Sequence, residues 1–310
     1  GQAPSAGANT TLFSSTISSS ATSISVTGLS TSTTYNFLLI PYSYNGSNDS
    51  TYNYLTASAP SVSAATTNIV PPTLSSTTLS GNTYATFFVV GELLEHRPEL
   101  LDKILANGHE IGFHTMHHTR IDLLHQDAFI EELETFNRLT KGKSKGFRAP
   151  TFSINQKSSW AIDILSDHGY TYDSSIVPVK TGMYGIANAE ERPYKISSTS
   201  LEKNDPKGKV VEFPIMTTKI LGKKLPAGGG FYLRLLPTKL IKNAIRDHEQ
   251  KSIPSTFYIH SWEITPELMP RLSLPLKNRF ITYHNLSKAR LRLEVLLKEF
   301  KFTSFERFIG

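Results

Sequence analysis

Tyr84-Ala-Thr-Phe-Phe-Val-Val-Gly91 is a largely apolar run that predicts a strand buried on both faces, as in a parallel sheet. A helix follows over residues 99–107, with Pro98 in its first turn and Gly108 at its end, the usual asymmetry of helix boundaries. The further predicted strands are residues 110–113, 145–148, 170–176, 210–216 and 255–260, and the further helices are residues 126–140, 157–167, 237–250 and 287–300. This alternation predicts a parallel sheet, open or closed, and we expect a barrel-like β/α fold.

The first 80 residues differ, because Ser and Thr dominate them and no helical pattern is present. Residues 22–27 alternate polar and apolar side chains, and residues 34–42 and 58–67 are two further candidate strands. The stretch Gly28-Leu-Ser-Thr-Ser-Thr-Thr-Tyr35 resembles the turn and penultimate strand of a fibronectin type III domain. In such a domain Tyr35 would tie the corner of the sandwich.

A complete sandwich of that kind takes about 90–100 residues. We therefore predict only a partial β-sandwich over residues 1–69, a linker over residues 70–83 that contains Pro71 and Pro72, and a second domain over residues 84–310. A disordered stalk rich in Ser and Thr is the alternative for the first segment.

The net charge of +6 is unevenly distributed. Asp49 is the only charged residue before Glu92, so the first 91 residues carry a charge of −1 and the remainder +7. Because the cations are scattered among acids along predicted helices, they indicate solvated faces rather than a nucleic-acid partner. No apolar run approaches the roughly 18 residues of a membrane span. The absence of Cys excludes disulfides and thiolate metal sites.

His114-Thr-Met-His-His118 follows the predicted strand over residues 110–113. Four residues correspond to about one helical turn, so both imidazoles can face one metal ion. Ligands of β/α barrels gather at the carboxyl ends of strands, which is where this pair lies. By spacing alone, a pair of ordinary surface or core histidines is the commoner explanation.

Three other polar groups follow predicted strands: Arg148-Ala-Pro150, Tyr172-Asp173-Ser-Ser175 and Thr256-Phe-Tyr-Ile-His260. A fixed fork of donors matches a carboxylate, so we expect Asp173 to pair with Arg148, with a turn-forming Asp as the alternative. His260 is a titratable group whose charge can change near neutral pH. Trp262 follows it and offers an aromatic face for a sugar ring, although core packing is the commoner role of Trp.

Together, and in this order, these blocks resemble a polysaccharide deacetylase of the NodB-homology type, carbohydrate esterase family 4, over residues 84–310. The resemblance implies an incomplete (β/α) barrel preceded by the partial sandwich. It also implies that His114 and His118 bind a divalent metal, which we expect to be zinc, with cobalt and nickel as alternatives. By the same resemblance Arg148 and Asp173 belong to the catalytic set, and His260 protonates the departing sugar amine.

The resemblance past residue 180 is to the deacetylase subgroup associated with exopolysaccharide export, which carries an extra C-terminal region. The matching stretches include Glu212-Phe-Pro, the run from Leu221 to Pro237, and Arg279-Phe-Ile-Thr-Tyr-His-Asn285. Glycines in the second stretch let the backbone approach a ligand closely, with a mobile loop as the alternative. The residues expected to contact the substrate are Pro150, Gly229, Gly230, Tyr232 and Trp262.

The resembled family opens with a strand that ends in two acids, the general base and a third metal ligand. Between Gly1 and Gly91 the only acid is Asp49, in a turn-like sequence without a buried strand before it. We therefore expect the base, one ligand and the first strand to be missing from this sequence.

The expected function is that of a deacetylase-like protein related to hydrolases of non-peptide C–N amide bonds. Its substrate would be an N-acetylhexosamine polymer, and its activity in this chain would be weakened by the missing acids. The alternatives are an amidase for a small ureide or cyclic amide, and a non-enzymatic surface protein that binds glycans. The first segment favours the cell envelope or the exterior, with the cytoplasm as the alternative.

Overall fold

The computed structural model describes residues 83–270 and 272–310, and the backbone of four short strands before them. The chain forms two compact units, residues 1–75 and 76–310, and the division falls between Ser75 and Ser76. This point lies inside the segment 70–83 that we predicted as a linker.

The first unit contains two antiparallel strand pairs. Strand β1 (Thr34–Leu38) pairs with β4 (Ser61–Ala65), and the short strand β2 (Tyr42–Ser43) pairs with β3 (Asn53–Tyr54). Strands β1 and β4 lie within the predicted strands at residues 34–42 and 58–67. The predicted strand at residues 22–27 and the side chain of Tyr35 lie outside the described residues, so the fibronectin-like sandwich stays a prediction.

The second unit is built on a six-stranded sheet. Its strands are β5 (Thr86–Val89), β6 (Glu110–Phe113), β7 (Gly146–Phe147), β8 (Tyr172–Asp173), β9 (Tyr194–Ile196) and β10 (Val210–Glu212). They are ordered β5-β6-β7-β8-β10-β9; all neighbours are parallel except the antiparallel pair β10–β9. A separate hairpin joins β11 (Thr217–Ile220) to β12 (Lys223–Pro226). The predicted α/β fold with a parallel sheet is confirmed.

Ten helices accompany these strands in the described residues. They are α1 (Gly91–His96), α2 (Glu99–Ala106), α3 (Gln126–Thr140), α4 (Trp160–Asp167), α5 (Gly230–Leu235), α6 (Thr238–Gln250), α7 (Ser261–Ile264), α8 (Leu276–Tyr283), α9 (Ala289–Glu299) and α10 (Phe305–Ile309). Helix α3 buries Phe129, Leu133 and Phe136, the apolar stripe that predicted it. In the part of the chain that the structure describes, no helix is long and apolar enough to cross a membrane.

The two larger of three hydrophobic clusters hold most of the second unit together. One lies between the sheet and helices α1–α4, where Phe113 is in ring contact with Phe129, Phe136 and Phe147. The other gathers residues of α5, α6 and α9. The predicted strand at residues 255–260 is absent as a strand, because its backbone makes only two parallel bridges, Ile215↔Thr256 and Gly229↔Tyr258.

Helix α10 joins residues distant in sequence to the beginning of the sheet. The amide of Phe305 donates to Oγ1 of Thr86 at 3.1 Å, and the amide of Glu306 donates to Oε2 of Glu110 at 2.9 Å. The ring of Phe305 lies 6.0 Å from that of Phe88 between centroids. This helix therefore covers the amino-terminal ends of β5 and β6.

Candidate active site

The loop that carries the histidine pair is held by main-chain hydrogen bonds to the end of β5. The amide of His114 donates to the carbonyl of Val89 at 3.1 Å, and the amide of Gly91 donates to the carbonyl of Thr115 at 3.0 Å. A carboxylate of α3 completes the support, since the amide of Met116 donates to Oε2 of Glu132 at 2.8 Å. The loop is therefore fixed from both the sheet and the helix layer.

The two histidines meet by a different route from the one expected from their spacing. Residues 114–118 form no helical turn. Instead, Thr115 and His118 adopt left-handed backbone angles, with φ of 58° and 56°, a conformation that non-glycine residues adopt infrequently. The loop turns back, and the imidazole centroids of His114 and His118 lie 4.9 Å apart with their planes at 73°. The predicted juxtaposition is present, but a turn rather than a helix produces it.

His114 is oriented for a ligand on its outer nitrogen. Its Nδ1 lies 2.5 Å from the carbonyl oxygen of Arg148, which can only accept, so Nδ1 carries the hydrogen and Nε2 keeps a free lone pair. Burial lowers the pKa of His114 to about 3, which keeps the ring neutral. His118 is exposed as a residue, but its ring is partly shielded from water, and this partial burial lowers its pKa. Neutral imidazole is the form that binds metals.

These two rings fit two positions of a metal site. Among residues 83–270 and 272–310, however, there is no group of three His, Cys, Asp or Glu side chains placed to hold an ion. Within that part of the chain, the candidate ligands at this position are therefore the two imidazole nitrogens of His114 and His118.

Arg148 follows β7 and lies beneath the histidine loop. Its Nε donates to the carbonyl of Ser174 at 2.9 Å and its Nη2 to Oγ of the same residue at 2.7 Å. The guanidinium carbon lies 4.3 Å from the ring centroid of Phe88. Burial lowers the pKa of Arg148 to about 10, so it stays charged at neutral pH. The predicted direct pairing of Arg148 with Asp173 was wrong, because Ser174 takes the guanidinium donors.

Asp173 instead belongs to a buried pair of carboxyl groups with Glu212, each 0% exposed. Burial raises the pKa of Asp173 to about 6, and burial together with the Asp173 charge raises that of Glu212 well above its usual range. Because two carboxylates in one buried site repel each other, the pair keeps a proton to higher pH than an isolated acid would. Asp173 reaches the Arg148 loop through Ser175, whose hydroxyl donates to Oδ1 of Asp173 at 2.5 Å and accepts from the amide of Ala149 at 2.8 Å.

His260 comes to the site from the second core. It precedes α7, and its side chain is 50% exposed. Its ring is stacked on that of Trp262, with centroids 5.5 Å apart and planes at 17°. After burial, which has the largest effect, the charge of His260 contributes to lowering the pKa of both His114 and His118. The ring of Tyr258 lies 5.6 Å from that of His260 and 5.6 Å from the guanidinium carbon of Arg148, so Tyr258 connects His260 to the Arg148 side of the site.

The residues predicted to contact substrate differ in accessibility. Tyr232 and Trp262 are partly exposed, whereas Pro150, Gly229 and Gly230 are buried. The two glycines make room for side chains: a Cβ on Gly229 would lie 2.6 Å from the ring of Tyr258, and one on Gly230 would lie 1.8 Å from Oε2 of Glu263. The alternative of a mobile glycine loop does not agree with this packing, and contact with a sugar stays a prediction for all five residues.

Sequence reasoning missed Glu263 and Arg234, both 1% exposed. Glu263 accepts hydrogen bonds from His260 and Arg234. The available signal was an acid three residues after the residue that begins a short helix, the spacing of a capping box. Nothing in the local sequence indicates that Arg234, 29 residues away, is its partner.

Comparison with known proteins finds two family matches in this chain. Residues 67–172 match the polysaccharide deacetylase family, and residues 174–310 match DUF3473, a domain of unknown function. A peptidoglycan-N-acetylglucosamine deacetylase of Bacillus cereus is 32% identical over 109 residues, covering 30% of this chain and 40% of that protein. A chitooligosaccharide deacetylase of Bradyrhizobium sp. is 37% identical over 87 residues, covering 26% of this chain and 37% of that protein.

The chain thus spans less than half the length of these curated relatives. Among solved structures, a Mycobacterium smegmatis protein described as a polysaccharide deacetylase aligns at 16% identity with a TM-score of 0.47, covering 73% of this chain and 71% of that one. The family match covers the histidine pair, the Arg148 loop and strands β5–β7, and it ends at Tyr172, the first residue of β8. Residues 67–172 of this chain therefore belong to a polysaccharide deacetylase domain of the NodB-homology family, carbohydrate esterase family 4.

Proposed function

We propose that the chain binds one divalent metal ion, zinc, through His114 and His118, and that its site is built to remove acetyl groups from an N-acetylhexosamine polymer. The observation that supports this most is the fixed orientation of His114. Its Nδ1–H is used by the carbonyl of Arg148, so its Nε2 is left for an ion, as in metal sites where a carbonyl orients the ligand.

The reaction is hydrolysis of an acetamide. A water oxygen adds to the carbonyl carbon, the C–N bond breaks, acetate leaves, and the amine nitrogen takes up a proton. A bound metal supplies Lewis-acid polarisation and a more acidic water. His260 donates the proton to the amine. Trp262, stacked on His260, offers its outer face to a sugar ring.

We infer that this sequence has little deacetylase activity as it stands. The general base of the family is an acid ahead of β5, and residues 1–91 contain only Asp49. Loss of a general base costs roughly 10²–10⁴ in rate. Acetate release from acetylated chito-oligosaccharides measures this. A turnover of about 1 per second or faster, ordinary for enzymes, would contradict the inference.

Restoring the missing acids tests the rest of the site. Replacing residues 1–83 with a strand–helix unit that ends in paired acids should produce activity, because on this proposal His114, Arg148 and His260 supply the rest of the site. In that protein, His260→Ala should lower kcat far more than metal affinity, since its role is proton donation. Indifference of the repaired enzyme to His260→Ala would show that the acid is misassigned.

Metal binding is tested by zinc titration of the full chain, followed by calorimetry. His114→Ala should abolish the binding isotherm. His117→Ala is the matched control, because His117 is exposed and its side chain contacts Glu92 at 3.5 Å rather than the other rings. Equal zinc binding by the wild type and His114→Ala would refute the proposed site.

A further inference from the structure

We propose that Glu263, held in place by Arg234, is a positioning residue that fixes His260 in the Nδ1–H tautomer and presents its Nε2 to the reacting amide. The inference rests on the proposed function for the meaning of that Nε2, but its geometry is independent of it. It also gives residues 174–310, the part that matches a domain of unknown function, a task in the deacetylase site.

One carboxylate oxygen of Glu263 contacts two nitrogen atoms of His260. Oε2 of Glu263 lies 3.0 Å from the backbone amide of His260 and 3.0 Å from Nδ1 of the same residue. The backbone amide can only donate, so this oxygen is an acceptor, and an ionised carboxylate has no hydrogen to give. Nδ1 of His260 must then be the donor, and the lone pair of the neutral ring is on Nε2.

The carboxyl group of Glu263 is kept ionised. Burial alone would raise its pKa, but hydrogen bonds from His260 and the charges of His260 and Arg234 outweigh that effect and hold the pKa below its usual range. Nε of Arg234 donates to Oε1 of Glu263 at 2.9 Å. Both side chains are 1% exposed, so little water competes for these bonds.

The guanidinium of Arg234 is itself held in one orientation. Its remaining donors are used by backbone carbonyls: Nη1 binds those of Thr282 at 3.2 Å and His284 at 2.9 Å, and Nη2 binds that of Ile281 at 3.0 Å. The carbonyl groups at the end of α8 therefore hold the guanidinium of Arg234. That guanidinium holds the carboxylate of Glu263, and the carboxylate orients the imidazole of His260. Each link is a hydrogen bond of ordinary length.

The glycine at the start of α5 belongs to the same arrangement. A Cβ on Gly230 would lie 1.8 Å from Oε2 of Glu263, the atom that accepts from His260. The backbone conformation at Gly230 needs no left-handed angle, so the requirement for glycine is one of space. The sequence Gly228-Gly-Gly230 thus leaves the volume that the carboxylate occupies.

A purely structural role is the competing explanation, in which Glu263 only neutralises Arg234 and begins α7. The two explanations differ in what they say about His260. A structural role leaves its tautomer free, and a free imidazole prefers the Nε2–H form. A positioning role imposes Nδ1–H.

The test is long-range ¹H–¹⁵N spectroscopy, at alkaline pH, of the full chain labelled at histidine. The His260 signals are identified by their loss in His260→Gln. We expect the wild type to show mainly the Nδ1–H tautomer, and Glu263→Gln to shift the majority to Nε2–H. Glu267→Gln is the matched control, because Glu267 is exposed and lies just beyond α7.

A wild-type His260 that is mainly in the Nε2–H form would overturn the proposal, and this result needs no variant. A folded Glu263→Gln protein that keeps the Nδ1–H form would overturn it as well. If Glu263→Gln fails to fold, a low-field, slowly exchanging Nδ1 proton in the wild type decides in favour, and its absence decides against. The spectra require neither metal nor turnover, so a failed zinc titration would remove the proposed function and leave this result standing.

Discussion

His114 and His260 reach one site from regions that hold them in different ways. His114 follows a regular parallel strand and bonds to a main-chain carbonyl. His260 follows a stretch with two isolated bridges and bonds to a buried carboxylate that needs its own buried cation. The first arrangement depends on a main-chain hydrogen bond beside a strand that the local sequence predicts. The second depends on a charge pair, in which the loss of one member leaves the other uncompensated.

The largest expected effect tests the charged side of this comparison. Arg234→Met should destabilise the protein by about 3–5 kcal/mol, because Glu263 would remain buried without its cation. Arg290→Met is the matched control, since the Arg290–Glu294 pair lies on the solvent side of α9 with 43% and 26% exposure and contributes at most about 1 kcal/mol. Urea unfolding followed by Trp fluorescence measures both. A cost for Arg234→Met no greater than that of the control would break the comparison.

The next effect concerns the space around Glu263. Gly230→Ala should cost about 1–3 kcal/mol, because the new methyl group must displace a buried carboxylate. At Gly182 a Cβ would meet nothing within 4 Å and the backbone is not left-handed, so Gly182→Ala should be neutral or slightly stabilising. Thermal and urea unfolding of the two variants gives the difference. Equal free energies of unfolding for Gly230→Ala and Gly182→Ala would mean that the packing around Glu263 can accommodate a methyl group.

A smaller effect is expected from pH, through the Asp173–Glu212 pair beside the sheet. Both pKa values are raised in the folded protein, so the folded state binds more protons than the unfolded one above pH about 4. The pair's contribution to stability is therefore full below that pH and is lost as pH rises through about 6 and beyond.

Glu212→Gln mimics the protonated acid and should reduce the fall in unfolding free energy from weakly acid to weakly alkaline pH by on the order of 1–2 kcal/mol. Asp163→Asn, at an exposed position on α4, should leave the slope as in the wild type. Urea unfolding over a pH series measures both slopes. A steeper fall of the unfolding free energy with pH in Glu212→Gln than in the wild type would contradict the expected direction of the effect.

The smallest effect should be a gain, and it sharpens the other side of the comparison. Lys141 ends α3 with φ of 53°, a left-handed angle that glycine adopts without strain. Lys141→Gly should stabilise the protein by up to about 1 kcal/mol. Lys143→Gly, which is exposed and has no left-handed angle, should be neutral or destabilising. Loss of stability in Lys141→Gly would show that local rules fail even beside the regular sheet.

The same contrast explains how far sequence could predict the molecule. Strand β6 and helix α3 have the predicted bounds, because an apolar run and a 3.6-residue stripe are local signals. Helix α5 was missed since Gly228-Gly-Gly230 reads as a loop, and the reason for those glycines is Glu263, which is distant in sequence. The histidine pair was located correctly, but the left-handed turn that joins its rings carries no signal in Thr115 or His118.

The Asp173 prediction failed for a similar reason. A charge beside a strand end suggests an ion pair with Arg148, yet Ser174 takes those donors and Glu212 takes Asp173. The partner of Asp173 is determined by the register of β8 against β10, which places Glu212 directly beside Asp173. Register between strands about 40 residues apart is not readable from either strand alone.

The contacts of α10 have a consequence for how the protein is made. Phe305 and Glu306 bind Thr86 and Glu110 across separations of 219 and 196 residues. At 5–20 residues per second, the ribosome needs roughly 10–40 seconds to reach α10 after it has synthesised β5. During that interval the ring of Phe88 and the start of the sheet lack their cover. The nascent chain is then most exposed to mispairing, and the arrival of α10 is the event that covers the start of the sheet.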